Sequence, residues 1–379
     1  MARWGAYIHS PFCRYKCTYC DFDAGVYPSE LVARYVHALC AEIEAPQGSR
    51  PDAGETFDTI YFGGGTPSLF CEDALRRILD TIRSSLPLET ELEQTIETIP
   101  EVVDIQKAEA LRGLGFNRVS IGAETFNEQQ LRMMGRTHSA DAIDEACDIL
   151  RRAGHSNLNL DLIIGLPGQT LDDWNRTMDR VFALAPEHLS TYMLEVHEET
   201  KLGELVRRGK LSLPEEQLVA EMYQALQVRA SREGYEQYEI SNFALPGFAS
   251  RHNLKYWSDE PYLGFGSNAH SYDCRARWWN VATPERYIEA MEKRGEAVAE
   301  RSRVDPLSRL QEVIFLGLRK TSGIDLSELE SRLGTNPYQL FKAQFEELTQ
   351  IHLLECANGH VRLTPKGMIL SNEVFVHFV

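Results

Sequence analysis

From residue 6 to residue 194 the chain repeats one pattern six times: a short apolar strand, a turn holding glycine or polar residues, and a helix with one apolar face. Strands are expected at residues 6–8, 59–62, 93–98, 118–121, 158–164 and 188–194. Helices are expected over 28–43, along Leu75, Ile78, Leu79 and Ile82, over 102–114, from Asn127, over 139–152 and from Leu171. Strict alternation of this kind predicts an α/β fold of parallel strands joined by crossover helices. In such folds the chemistry gathers beyond the carboxyl ends of the strands. Those positions here hold a cysteine loop, a glycine-rich turn, Glu97, Ala123-Glu124-Thr125, Asp161 and a second glycine turn, so all should face one cavity.

The loop after the first strand reads Cys13-Arg14-Tyr15-Lys16-Cys17-Thr18-Tyr19-Cys20, a C-x3-C-x2-C spacing. A structural zinc site takes four ligands, commonly as two separated pairs. A cubane [4Fe–4S] cluster is ordinarily held by four thiolates. Three close thiolates with no fourth nearby predict a cluster with one iron open to a ligand. The plainer alternative is three unrelated cysteines, which this spacing in a tight loop disfavours.

Composition sets the remaining bounds. A net charge of −17 argues against binding nucleic acid through a broad basic face. Cys40, Cys71, Cys147, Cys274 and Cys356 are scattered and do not read as a disulfide framework. Met1-Ala2-Arg3-Trp4-Gly5 is no secretory leader, and no window approaches the ~18 apolar residues of a membrane span. A reducing cytoplasm is the expected location.

Beyond Pro214 the rhythm changes. A helix over 215–232 leads to Tyr235-Glu236-Gln237-Tyr238-Glu239-Ile240, then a loop rich in aromatic and small residues is expected over 241–280. Three helices (305–318, 326–333 and 338–350) and a hairpin turning on Asn358-Gly359 follow, a winged-helix-like set. The last helix holds Lys342 against Glu346 and Glu347, which favours packing or partner docking over DNA binding. The expected division is 1–235 for the core, 236–300 for a connecting segment and 301–379 for the C-terminal domain.

Gly63-Gly64-Gly65-Thr66-Pro67 follows an apolar strand, where glycines let backbone approach a ligand closely. Alone it reads equally well as a tight connection. With the cysteine loop it resembles the radical S-adenosylmethionine (SAM) superfamily. In that superfamily C-x3-C-x2-C binds [4Fe–4S], and the glycine turn holds the methionine end of SAM. Tyr7-Ile8-His9-Ser10-Pro11-Phe12-Cys13, Ser120-Ile121-Gly122, Asp161-Leu162-Ile163-Ile164-Gly165-Leu166-Pro167-Gly168-Gln169 and Tyr238-Glu239-Ile240-Ser241-Asn242-Phe243 sharpen the likeness. They look like the oxygen-independent coproporphyrinogen III oxidase family, which implies a (β/α)6 partial barrel with a helical C-terminal part. The resemblance implies that Cys13, Cys17 and Cys20 ligate the cluster and that Tyr7 and Tyr19 lie against cluster and SAM. It implies that Gly64, Gly65 and Thr66 hold the methionine end, with Glu97, Arg136 and Asp161 as further SAM contacts. Asp161 in an apolar strand needs a partner in any reading; a neighbouring helix or arginine is the structural alternative, as a surface ion pair is for Arg136. Glu124 stands where the family usually has glutamine, and can accept from ribose hydroxyls but not donate. Glu97, Glu124 and Asp161 together should make the cavity negative.

The family splits into porphyrinogen dehydrogenases and a branch resembling haem chaperones. The dehydrogenases show a fourth cysteine two residues past the third; here Phe22 stands there, and the first strand starts without a long preceding arm. The chaperone-like branch carries H-N-x-x-Y-W, present as His252-Asn253-Leu254-Lys255-Tyr256-Trp257. The resemblance implies haem as a third cofactor beside the cluster and SAM. His252 is expected as its axial ligand, with His270 as a second candidate; the plainer alternative is a loop hydrogen bond. Tyr256, Trp257, Tyr262 and Phe265 are expected as an apolar wall, and Arg251 and Lys255 as propionate partners. The implied function is haem carriage to an acceptor protein, respiratory enzymes being candidates, and a homodimer is one expected assembly. Radical decarboxylation of coproporphyrinogen is the enzymatic alternative, and a DNA-binding regulator with a redox cluster a distant third.

Overall fold

The computed structural model describes residues 2–45 and 51–379. Its centre is six parallel strands: β1 (Arg3–Ser10), β2 (Thr56–Gly64), β3 (Leu88–Thr98), β4 (Arg118–Glu124), β5 (Leu158–Ile164) and β6 (His188–Met193). They lie side by side in chain order. The crossovers carry α1 (Ser29–Glu44), α2 (Glu72–Ser85), α3 (Ile105–Leu114), α4 (Glu128–Met133), α5 (Ala140–Arg152) and α6 (Leu171–Leu184). The (β/α)6 expectation is met. The Gly-, Ser-, Pro- and Asp-bearing stretch 47–55 reads as a loop before the second strand, and its residues 47–50 lie outside the described residues.

Local chemistry fixes the helix starts. Asp104, Asn127, Ser139 and Thr170 each accept a backbone N–H from the first turn of α3, α4, α5 and α6, and Thr170 with Asp173 completes a capping box. Phe57, Phe62, Phe116, Ile121, Leu160 and Trp174 fill the space between sheet and helices. Each buried side chain of this size contributes about 1.5–3 kcal/mol relative to exposure. Register then sets the site: Tyr7 lies beside Tyr61, Glu97 beside Ser120, and Gly122 beside Asp161.

After β6 come α7 (Lys201–Arg207) and α8 (Glu216–Arg232). The 241–280 stretch is not the expected loop. Beyond β7 (Glu236–Gln237), it holds β8 (Asn242–Ala244), α9 (Arg251–Trp257), β9 (Tyr262–Phe265), β10 (His270–Tyr272) and β11 (Ala276–Asn280). Then follow α10 (Pro284–Arg294) and β12 (Val298–Arg303). β8 adds antiparallel to β6, and β9 adds parallel to β1, giving a sheet of twelve strands. These strands are too short for alternation to register in the sequence. Their aromatic residues pair across the sheet instead, as Tyr262 with Tyr272 and His270 with Trp279.

The C-terminal part packs around its own core, including Leu310, Ile314, Phe345, Leu348, Val361 and Phe378. It holds α11 (Pro306–Leu318), β13 (Ile324–Asp325), α12 (Leu326–Leu333), α13 (Pro337–Leu340), α14 (Lys342–Gln350), β14 (Leu354–Ala357), β15 (His360–Leu363), α15 (Pro365–Ile369) and α16 (Ser371–Phe375). The hairpin turns on Asn358 (φ 53°) and Gly359 (φ 80°), as the pair predicts. The single helix expected over 338–350 is broken at Phe341, whose φ of −111° and ψ of 28° leave the helical region. Lys342 pairs with Glu346 at 3.6 Å on the same helix.

Candidate functional site: a cavity at the carboxyl edge of the barrel

The cysteine loop is held by main chain. Cys13 N donates to Gly25 O (2.8 Å), Thr18 N to Met134 O (3.0 Å), and Leu202 N to Thr18 O (2.8 Å). The glycine turn clasps the same loop: Gly65 N donates to Ser10 O (2.6 Å) and Thr66 N to Phe12 O (2.7 Å). Glycine is required at two of its positions. Gly64 has φ of 108°, and a Cβ there would lie 2.6 Å from the His9 ring. A Cβ on Gly65 would lie 2.6 Å from Phe12 O and 2.9 Å from Cys13 Sγ.

Loop, turn and strand ends enclose a cavity of about 630 Å³. Cys13, Cys17, Cys20, Tyr19, Gly64, Gly65, Thr66, Glu97, Glu124, Arg136 and Asp161 all line it. The sequence reasoning missed part of its wall: Tyr61, Tyr192, Arg319, and Met368 and Ile369 from the C-terminal part. Of these, Tyr61 and Tyr192 lie on strands expected from the sequence, and the others carried no signal.

Three free thiols face the cavity. Burial, with Cys20 and Cys17 close by, pushes the Cys13 thiol up to about 11, and burial also raises Cys17 and Cys20. Such thiols ionise only as metal displaces their protons. Among the described residues, no three His, Cys, Asp or Glu groups converge tightly enough for one metal ion. A cubane differs, because each thiolate meets a separate iron, and the soft donor set suits iron–sulfur. The close approach of Gly65 to Cys13 leaves room on the cavity side alone. The residues fit the cluster.

The carboxylates differ in state. Glu97 accepts from Tyr61 Oη (2.8 Å) and Gly64 N (3.1 Å); burial, then Asp161, pushes it up to about 8. Asp161 accepts from Ser120 Oγ (2.8 Å) and Asn159 Nδ2 (2.9 Å), and burial raises it too. Its hydrogen-bond partners thus come from β4 and from β5 itself, not from a helix or an arginine. Glu124 forms a buried ion pair with Arg136, which also donates to Gly122 O at 3.3 Å. Burial opposes the Arg136 charge, but Glu124 together with Tyr19, Cys17 and Tyr15 outweighs it and holds the guanidinium above its ordinary value. Arg136 is therefore no surface salt bridge, and one of the three expected negative charges is cancelled. Arg118, on β4, is 1 % exposed and has no ion-pair partner among the described residues; its Nε has no hydrogen-bond partner. This interior cation draws down both Asp161 and Glu97.

Two expected residues do not reach the cavity. Tyr7 packs beneath it, its ring against Tyr61 (6.2 Å) and its hydroxyl 3.1 Å from His9 Nδ1. His252 lies at the opposite end of the barrel. Helix α9 closes that end: Glu93 accepts from Arg251 N and His252 N (3.0 Å each), and Lys255 Nζ meets Asp58 at 2.7 Å. His252 is 1 % exposed, stacks on Tyr61 at 5.1 Å, and has Nδ1 2.8 Å from Thr59 Oγ1 and Nε2 2.9 Å from Tyr256 Oη. Both ring nitrogens are engaged, and burial lowers its pKa to about 3. The expected wall and propionate partners are likewise spent: Phe265 is buried, Tyr256 packs on Tyr262, Arg251 pairs with Asp58 and Lys255 with Asp58 and Glu260. The reason is tertiary: α9 returns across the amino ends of β2 and β3, a placement that a six-residue motif does not encode. His270 is exposed and stacks on Trp279.

The comparisons with known proteins agree with this geometry. Residues 7–181 match the radical SAM superfamily, and residues 304–370 match the HemN C-terminal domain. Heme chaperone HemW of Bacillus subtilis is 36% identical over 99% of this chain and 98% of its own length. Heme chaperone HemW of Lactococcus lactis is 35% identical over 99% and 97%. Radical S-adenosyl methionine domain-containing protein 1 of Bos taurus, described as mitochondrial, is 31% identical over 99% and 87%. The solved structure of coproporphyrinogen III oxidase (HemN) from Escherichia coli superposes with a TM-score of 0.86, covering 100% of this chain and 90% of that one at 23% identity, a likeness of fold. With two relatives above one-third identity along their whole length, the chain belongs to the HemW family of the radical SAM superfamily.

Proposed function

We propose that the protein is a haem chaperone: it carries haem on a radical SAM scaffold that holds [4Fe–4S] and SAM, and passes the haem to an acceptor protein. The observation that carries this reading is the full-length relationship to proteins named as haem chaperones. Phe22, 60 % exposed on the cluster loop where a porphyrinogen dehydrogenase resembling this chain would show its fourth cysteine, supports it.

The cluster and SAM supply one-electron chemistry when bound. Cys13, Cys17 and Cys20 hold the cluster. Gly64, Gly65 and Thr66 offer backbone and hydroxyl groups to the methionine end, and Glu97 and Asp161 stand ready for the ammonium and ribose hydroxyls. Arg136 cancels Glu124, so that pair shapes the pocket without adding net charge. Tyr19 packs under the cysteine loop against Met134, Ile163, Leu166 and Leu202. His252 fixes the barrel floor. The chain has, among its described residues, no helix long and apolar enough to cross a membrane. A cytoplasmic site of action, a respiratory enzyme as acceptor, and a homodimer as the working assembly complete the reading.

The test is haemin titration of the anaerobically reconstituted protein, run beside coproporphyrinogen turnover with SAM and a reductant. Stoichiometric haem binding without protoporphyrinogen formation is expected. No haem binding with product formation sinks the chaperone reading in favour of the dehydrogenase.

A further inference from the structure

Glu97 and Asp161 line the cavity from adjoining parts of the barrel interior, and two buried carboxyl groups so placed favour the neutral form. A neutral pair offers little to a cationic ligand. The strands beneath them supply a counter-charge. On β4, Val119 and Ile121 belong to the core between sheet and helices, so Arg118 and Ser120 point into the barrel. On β3, Ile96 belongs to the same core, so Thr95 and Glu97 point inward too. Register sets Glu97 beside Ser120 and Thr95 beside Arg118. Arg118 therefore stands one inward-facing layer below Glu97, roughly 7 Å along the strands.

This cation has no partner of its own among the described residues: no carboxylate pairs with it, and its Nε and the neighbouring Thr95 Oγ1 are buried without a hydrogen bond. The other titratable groups around the two carboxylates are neutral or already matched. Tyr7, Tyr61, Tyr192 and Tyr256 are held above their ordinary value by burial, and so keep their protons. Burial pushes His188 and His252 down, so both are uncharged. Glu124 is cancelled by Arg136, and Glu93, in the layer below, is committed to two backbone N–H groups of α9. A single unmatched charge at about 7 Å, in an effective dielectric of about 20, moves a carboxyl by on the order of one pH unit or more. Arg118 does not line the cavity, so it acts on the carboxylates without touching what they bind.

Resting on the reading of the cavity as a SAM site, we infer that Arg118 is a positioning residue for that ligand: a fixed interior cation, without a carboxylate of its own, that readies Glu97 and Asp161 to meet the ligand's positive charge as carboxylates. Protons held by the pair pass to solvent as the ligand enters, and no covalent bond other than O–H changes.

The test uses full-length protein with its cluster reconstituted and its iron and sulfide content measured, so that each variant is known to be folded. SAM is titrated calorimetrically from about pH 6 to about pH 9.5 into wild type, Arg118→Met, Arg118→Lys and Thr95→Asp. In Arg118→Met the rise of affinity with pH is expected to move up by about one unit, so that SAM binds about tenfold more weakly near neutrality and recovers at the alkaline end. Arg118→Lys, which keeps the charge, should keep the wild-type profile. Thr95→Asp hands Arg118 a carboxylate partner and should shift the profile in the same direction as Arg118→Met; it decides the matter if Arg118→Met does not take up the cluster. An unchanged profile in the charge-silencing variants overturns the inference, as does a loss of equal size at every pH, which is what a purely structural role would give. A second readout needs no SAM. The infrared carboxylic-acid absorption of Glu97, assigned by its loss in Glu97→Gln, should persist to higher pH in Arg118→Met than in wild type, and coincident titrations would also overturn the inference. A wild type that binds no SAM sinks the SAM reading instead, and the infrared comparison still decides whether Arg118 sets the state of the carboxylates.

Discussion

Glu97 shows how far burial can set a residue's behaviour. Its ordinary carboxyl value is 4.5 and the folded value about 8. Between these values the folded apo-protein holds a proton that the unfolded chain has lost. The stability this group contributes is therefore full below its ordinary value and is lost as pH rises toward about 8. A cationic ligand beside Glu97 reverses the preference and expels the proton. SAM affinity should thus climb as pH rises from about 6 toward about 8, with proton release measurable by calorimetry in buffers of different ionisation enthalpy. Glu97→Gln should flatten that dependence. If SAM binds Glu97→Gln with an unchanged pH profile, the carboxylate is not at the ligand. At the cysteine loop, Cys17→Ala should lose the broad iron–sulfur absorption, and a full four-iron cluster in that variant would sink the three-cysteine assignment.

At the scale of elements, α9 is an anchor made from charges. Two backbone N–H groups of its first turn end on Glu93, a carboxylate at a helix N-terminus. Glu93→Ala should therefore cost about 3–6 kcal/mol, the sum of two hydrogen bonds to a charged group. The checks are urea denaturation and Trp257 fluorescence, and a loss within error of zero would mean that α9 is held by packing alone. This element also marks the limit of what the residues disclosed. The six βα units were legible because each carries a period and a turn signal, and the last four helices a cap as well. The first half of β3 escaped because Thr90 and Glu91 face solvent and Glu89 pairs with Arg3, which breaks the apolar pattern. The His252–Trp257 motif was read correctly as a motif, but its place across the barrel depends on where the chain returns after β8. Arg118 was invisible for the same reason: only the assembled partial barrel turns an ordinary strand residue into a buried cation.

Across the whole molecule, Arg319 is among the side chains that join the parts. Arg319, just past α11, lines the cavity, lies over the Trp257 ring at 4.4 Å, and reaches the fully buried Glu239 at 3.4 Å. Glu239 also holds Ser241 N (2.8 Å) and Asn242, so the pair ties the C-terminal part to the barrel edge. Burial raises the Glu239 pKa, with Arg319 opposing. Removing one member of a buried pair costs about 3–5 kcal/mol. Arg319→Met should lower stability by an amount of that order at neutral pH and by less in mild acid, where Glu239 takes up a proton. Chemical denaturation at two pH values separates this from simple loss of packing, which would be equal at both.

The clasp around the cysteine loop has one more consequence. Its fastenings to the 25, 134 and 202 positions and to the glycine turn are amide to carbonyl. A fold written in main chain does not care which side chains it carries. Arg14 and Lys16, whose side chains reach only main-chain oxygens, can therefore be exchanged without redrawing the loop, whereas Tyr15, donating to Glu101, is a fastening; this stretch behaves as a socket with interchangeable pins. A barrel of this architecture can retune what it grips at its mouth while the inorganic centre below stays where it is.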